Sequence, residues 1–226
     1  MSAPALRLFP EIEFAVEEAT IALDAAIPTI AFRVRVETAD DCDIRAMLLA
    51  AQIRLVGPRR GEAMAMRARL RAVCGDVPPW LSREAPQTLL WTNAVAAVPF
   101  FQRSAAIEFA AGCTYDFEVA AAKYFDALAG GHVPLEFLFS GTVLWADAAG
   151  TLDTSVLPYD RSASFELPLA VWRQTMERHY PGTAWLRLQR DVYDRLFAFK
   201  WSNAQPRWDD AIATLLRTAK QAGWNV

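Results

Sequence analysis

CTYDFEVAAAKYFDALAGGHVPLEFLFSGTVLW, residues Cys113 to Trp145, is the most apolar and most patterned stretch of this 226-residue chain. Tyr115, Phe117 and Val119 alternate with Asp116 and Glu118, which reads as a strand. Ala120 to Leu128 fits more strand or a short helix. The alanine content and the Gly130-Gly131 stop favour a short helix crossing the end of the sheets. Leu135, Phe137, Phe139, Gly141, Val143 and Trp145 then form the clearest period-two run in the chain. Two strands joined by a short helix predict a β-rich core.

The flanks extend this pattern. Ile12, Phe14 and Val16 alternate with glutamates, and Ile30, Phe32, Val34 and Val36 alternate with Arg33, Arg35 and Glu37. Met47, Leu49, Ala51, Ile53 and Leu55 make a third run, closed by Gly57-Pro58. Residues 88–101 read as a strand turning at Pro99, followed by Ala105, Ile107 and Phe109. Ala148-Ala149-Gly150 marks a hairpin-like break before a weaker strand that ends near Leu157-Pro158. Between these runs, Met66, Leu70 and Val73 have helical spacing in a basic segment, and Trp80 and Leu81 are placed to pin a proline-rich connection to the core.

From Pro168 the period becomes helical. Leu169, Trp172, Met176 and Tyr180 share one face; Val192, Leu196 and Phe199 share another; and Pro206 opens a third helix with Trp208, Ile212, Leu215 and Ala219 inside. Runs of strands followed by runs of helices indicate an α+β fold. The expected architecture is an antiparallel β-sandwich of about eight strands with a three-helix C-terminal layer. Its expected limits are a flexible arm at 1–10, the sandwich at 11–166 and the helical layer at 167–226, packed together as one domain.

With 54% hydrophobic and 22% charged residues, the composition is globular. A net charge of -3 does not point to nucleic acid. No apolar run is long enough to span a bilayer, and the N-terminus lacks the pattern of a signal peptide. Cys42, Cys74 and Cys113 are sparse and odd in number, as a reducing compartment permits, so a cytoplasmic location is expected. Charge is uneven: residues 1–166 carry 14 basic and 21 acidic side chains, whereas 167–226 carry 9 and 5. Weak long-range attraction between the two parts accounts for this more readily than an acidic partner does.

Chemistry is hard to find. Phosphate-loop, dinucleotide, H-E-x-x-H and C-x-x-C motifs are absent from the sequence. Asp40, Asp41 and Asp43 suit a solvated turn better than a cation site. His132 reads as a turn residue, His179 as a helix-end residue, and Cys113 as a small buried hydrophobe rather than a nucleophile. Ser140-Gly141 lacks the preceding glycine of a nucleophile elbow. No catalytic residue, cofactor site or metal site is therefore assigned, and the reading leans away from an enzyme. Trp185, Trp201, Trp208 and Trp224 crowd the helical part, as core packing or as an apolar face for another polypeptide.

CTYDFEVAAAKY, VPLEFLFSGTVLW and WLRLQRD, with the surrounding LPLAVWRQTMERHYPGTAWLRLQRDVYDRL, carry a resemblance from about Ile12 to about Leu216. They resemble a bacterial family of unassigned activity encoded beside high-affinity, oxygen-tolerant nickel–iron hydrogenases of the actinobacterial type. The resemblance implies a cytoplasmic accessory protein, chaperone-like or scaffolding, for hydrogenase assembly or maturation. Its expected partner is a hydrogenase subunit or maturation protein, with no nucleic acid and no membrane insertion. Tyr193, Trp201 and Trp208 are the candidate partner-binding anchors. The alternative is a small-molecule-binding or hydrolytic β-sandwich, whose sign would be a deep cleft gathering Cys113, His132 or acidic groups.

Overall fold

The computed structural model describes residues 9–58, 60–74, 77–81, 88–114, 117, 121, 124, 125, 127, 128, 131–183 and 188–225. The chain divides into two compact units, one ending at Gly182 and the other beginning at Thr183. Among the described residues, the first unit holds eight strands: β1 (Ile12–Ile21), β2 (Thr29–Thr38), β3 (Asp43–Val56), β4 (Thr88–Val98), β5 (Ser104–Gly112), β6 (His132–Ala146), β7 (Leu152–Val156) and β8 (Ser162–Pro168). It also holds α1 (Arg60–Cys74), a 3-10 turn (Pro79–Leu81) and α2 (Leu169–His179).

Every strand pairing is antiparallel. One sheet has the order β1-β2-β5. In the other, β4, β3 and β6 lie side by side, and the far edge of β6 is shared by two short strands. β8 covers His132 to Leu138 and β7 covers Thr142 to Ala146. β1 carries a bulge between Val16 and Glu18. Glu17 at that bulge meets Arg35 at 2.6 Å and Arg33 at 3.7 Å, surface pairs that solvent screens and that add little to stability.

The alternating residues meet between the sheets. Ile30, Phe32, Val34 and Val36 are completely buried, as are Leu49, Ile53 and Leu55. Phe32 lies at the centre, edge-on to Phe137 of β6 at 5.2 Å, to Trp91 of β4 at 5.8 Å and to Phe165 of β8 at 6.0 Å. Phe14 of β1 stacks on Phe139 of β6 at 4.3 Å. The two sheets thus share one core, which Phe9 joins from the end of the expected arm.

Phe117 is helical rather than extended, and so are Ala121, Tyr124, Phe125, Ala127 and Leu128. Tyr115, Val119 and the rest of that strand reading lie outside the described residues. The period-two signal at Phe117 is overridden by its setting: its ring stacks on Trp91 at 4.5 Å with 7° between planes. Four residues on, Ala121 is fully buried. Tyr124 meets Trp80 at 5.2 Å and Phe125 meets Trp172 of α2 at 4.9 Å. Trp80 and Leu81 are both buried, so the proline-rich connection is pinned as expected.

The expected layer of three C-terminal helices is divided between the units. α2 belongs to the first, where Leu169, Trp172 and Thr175 are buried. The His179 ring nitrogens lie 3.0 and 3.2 Å from the carbonyl oxygens of Thr175 and Ala25, linking the end of α2 to the β1–β2 loop. The second unit holds α3 (Arg190–Ser202) and α4 (Trp208–Gln221). Arg207 pairs with Asp210 at 3.2 Å at the start of α4 and holds that carboxyl below its ordinary range by hydrogen bonding.

Three outcomes test this description. Phe32→Ala removes the ring that three others lean on and is expected to cost about 3–5 kcal/mol in denaturant unfolding. Gly141→Ala would drive a Cβ into the Leu48 carbonyl oxygen of the paired strand; the same measurement should show a loss of about 1–3 kcal/mol. Arg207→Ala should raise the Asp210 carboxyl, followed by NMR titration, toward the ordinary aspartate range. Because that carboxyl is depressed in the folded chain, the pair stabilises α4 above the unfolded value and ceases to do so as pH falls through the folded one. The variant should lose this acid sensitivity.

Candidate functional sites

Three surface features of the described residues stand out. The first is the outer face of the five-stranded sheet. An antiparallel sheet facing water on one side is expected to be polar there. Leu48 faces out from β3, and pairing places Thr142 of β6 opposite it and Val156 of β7 beyond that. On the other flank, Val95 of β4 stands opposite Ala50. Leu48, Val95 and Val156 are 62%, 66% and 75% exposed, and Leu144 beside them is also open. An uncharged aliphatic band therefore crosses four strands.

The second feature is α3 with α4. Neither helix depends on a buried side chain of its own apart from Ala211, which is the one buried residue described in this unit. Helices of 13 and 14 residues are marginal in isolation. Tyr193 and Phe197 hold the Trp208 ring at 5.5 and 6.2 Å, and the Lys200 ammonium lies 5.5 Å from its centre. Of the three expected anchors, Tyr193 and Trp208 therefore come together and serve first to join the helices. Trp201 stands apart, 79% exposed, with Phe197 next to it in a shallow hollow. Trp185 lies outside the described residues.

The third feature is a cleft of about 620 Å³ in the first unit, at the other end of the same outer sheet face. β6, β8 and α1 supply its polar groups: His132, Ser164, Glu166 and Arg69. His132 opens β6 directly after Gly131 rather than sitting in a turn, because Gly131 takes the left-handed conformation at φ +91°. Pairing puts Pro134 opposite Glu166 and Glu136 opposite Ser164. Met66 and Arg69 lie on the flank of α1 that borders the cleft, while Leu70 is buried.

Cys113 is not in this cleft. It is buried, and its backbone N–H donates to the Pro28 carbonyl at 2.7 Å. Burial pushes the Cys42 thiol up, away from an activated thiolate. The acidic turn is spent locally: Asp40 accepts from the Glu11 N–H at 2.6 Å, and Asp43 pairs with Arg45 at 2.8 Å. Among the described residues, no group of three or more His, Cys, Asp or Glu side chains is placed to hold a metal. No helix among them is long and apolar enough to cross a membrane.

None of the curated proteins compared with the chain matches it. Among solved structures, a β-glucosidase from Kluyveromyces marxianus is similar at 10% identity and a TM-score of 0.25, over 70% of this chain and 15% of that one. β-glucosidase 3B from Thermotoga neapolitana gives the same identity and score over 70% of this chain and 17% of its own length. A Bordetella pertussis protein designated ApaA is 10% identical at a TM-score of 0.25, over 70% of this chain and 94% of that one. The chain thus spans under a fifth of the two glucosidases. A family model matches residues 9–223, nearly the whole sequence, and its description is a family of unknown function (DUF6084). The chain belongs to the DUF6084 family.

Proposed function

We propose that this chain is a non-enzymatic accessory protein that acts by holding another polypeptide, in a chaperone-like or scaffolding role. The observation that carries this reading is the aliphatic band through Leu48, Val95, Leu144 and Val156. Exposed aliphatic side chains spread over four neighbouring strands, interrupted by Thr142, are the usual mark of a protein-binding surface. The α3–α4 pair supports the same reading, since its open aromatic residues have arginines and lysine nearby, the composition enriched where partners bind. The sequence resemblance to proteins encoded beside nickel–iron hydrogenases supplies the partner class: a hydrogenase subunit or a maturation protein.

Affinity co-purification from the native host, followed by mass spectrometry, tests the proposal. A hydrogenase subunit or maturation protein should be enriched. Leu48→Glu, placed on the open face, is expected to lower recovery of that partner at least tenfold, equivalent to about 1.4 kcal/mol, while the unfolding midpoint stays within error. Trp201→Ala should lower recovery less, because it leaves the band intact. Recovery of the protein alone in low salt would overturn the partner reading. Full recovery with Leu48→Glu but loss with Trp201→Ala would move the contact to α3.

A further inference from the structure

The cleft between α1 and the outer face of β6 and β8 lies away from the aliphatic band and calls for its own account. Its volume is within the range of small-molecule sites, about 300–1,000 Å³. Its lining combines an apolar body with a few polar groups of both signs. Val56, Met66, Leu128 and Pro134 supply the apolar part. Among the described residues, the side chains of Arg69, His132, Ser164 and Glu166 form no ion pair or hydrogen bond with another protein group. Their bonding capacity remains available to a ligand.

Strand pairing fixes part of the spacing. His132 stands opposite Pro168 and Pro134 opposite Glu166, so His132 and Glu166 are diagonal neighbours, roughly 7–8 Å apart. Ser164 lies two residues before Glu166, on the same face of β8. These three form one polar edge on the sheet. Arg69 approaches from α1, a separate element, and its guanidinium offers paired donors to a carboxylate. One further row along, Arg54 and Glu136 are paired across β3 and β6 and add opposite charges, leaving the balance unchanged.

That balance selects the ligand class. Among the described lining residues, a phosphate or other dianion would meet one guanidinium and a carboxylate that repels it. A plain hydrocarbon would gain nothing from four polar side chains that are exposed and solvated. A ligand bearing both a carboxylate and an ammonium on an apolar body satisfies each part. We propose that this cleft binds small apolar zwitterions, the class of free amino acids and dipeptides, with Arg69 taking the carboxylate, Glu166 and Ser164 taking the ammonium, His132 closing the polar edge and Met66 and Leu128 packing on the body. This site does not depend on the partner-binding reading.

The test is calorimetric titration of the full chain with leucyl-leucine, its N-acetyl derivative and its C-terminal amide. Leucyl-leucine should bind saturably, and removing either charge from it should weaken binding about tenfold or more. Glu166→Gln should abolish the difference between the free and N-acetylated forms. Arg69→Gln should abolish the difference between the free and amidated forms. The derivatives probe the unaltered chain, so a variant that failed to fold would leave the charge requirement measurable. Absence of saturable binding at millimolar concentration would overturn the assignment. So would binding indifferent to both ligand charges, or competition by inorganic phosphate, which would mark a simple anion site.

Discussion

The structure of the first unit depends on Phe32. Its ring is the point where β2, β4, β6 and β8 meet, through edge-on contacts to Trp91, Phe137 and Phe165. Edge-to-face packing is directional, so this cluster sets the relative position of the sheets as well as burying area. Trp91 is held in turn by its indole N–H, which donates to the Gly112 carbonyl at 2.9 Å, and by the Phe117 ring. The helical residues from Phe117 onward therefore attach to the same cluster that joins the sheets. Residues 132–146 then run through the whole core as β6, the strand to which β3, β7 and β8 are all paired.

Much of the strand placement along the chain was legible because burial on one face imposes period two. The runs at Phe32, Leu49 and Phe137 are buried at the positions their alternation indicates. β8 escaped the reading although Ala163, Phe165 and Leu167 alternate with Ser162, Ser164 and Glu166. The strand is short, seven residues, and lies close against the helix that follows Pro168 in sequence. Phe117 was misread as extended because three alternating residues cannot separate a strand from the apolar face of a helix. Pro206 suggested the start of the last helix, whereas α4 begins at Trp208 with Arg207 as its cap.

The candidate sites were less legible, for two different reasons. The aliphatic band left a signal that alternation alone hides: Leu48 and Ala50 occupy the outward phase of β3, where polar residues belong, so Met47 to Ala51 forms one continuous apolar run. A test for apolar residues in the wrong phase would have found it. The cleft left no such trace. Arg69, His132 and Glu166 come from a helix and two strands, and only the register of β6 with β8 and the placement of α1 bring them to one opening. Tyr193 and Trp208 were expected as partner-binding anchors, and within the chain they pack on each other.

The two short strands along β6 and the bulge in β1 have a consequence for how any polypeptide can be received. A long, flat edge invites an incoming segment to dock by main-chain pairing, extending the sheet. Beside β6 that edge is broken into pieces of 5 and 7 residues, and along β1 it is kinked at Val16 and Glu18 and lined with glutamate. A guest chain gains no continuous ladder at these two borders. There, recognition is left to the broad faces, where side-chain shape rather than backbone register decides what fits, and where release does not require a ladder of hydrogen bonds to be unzipped.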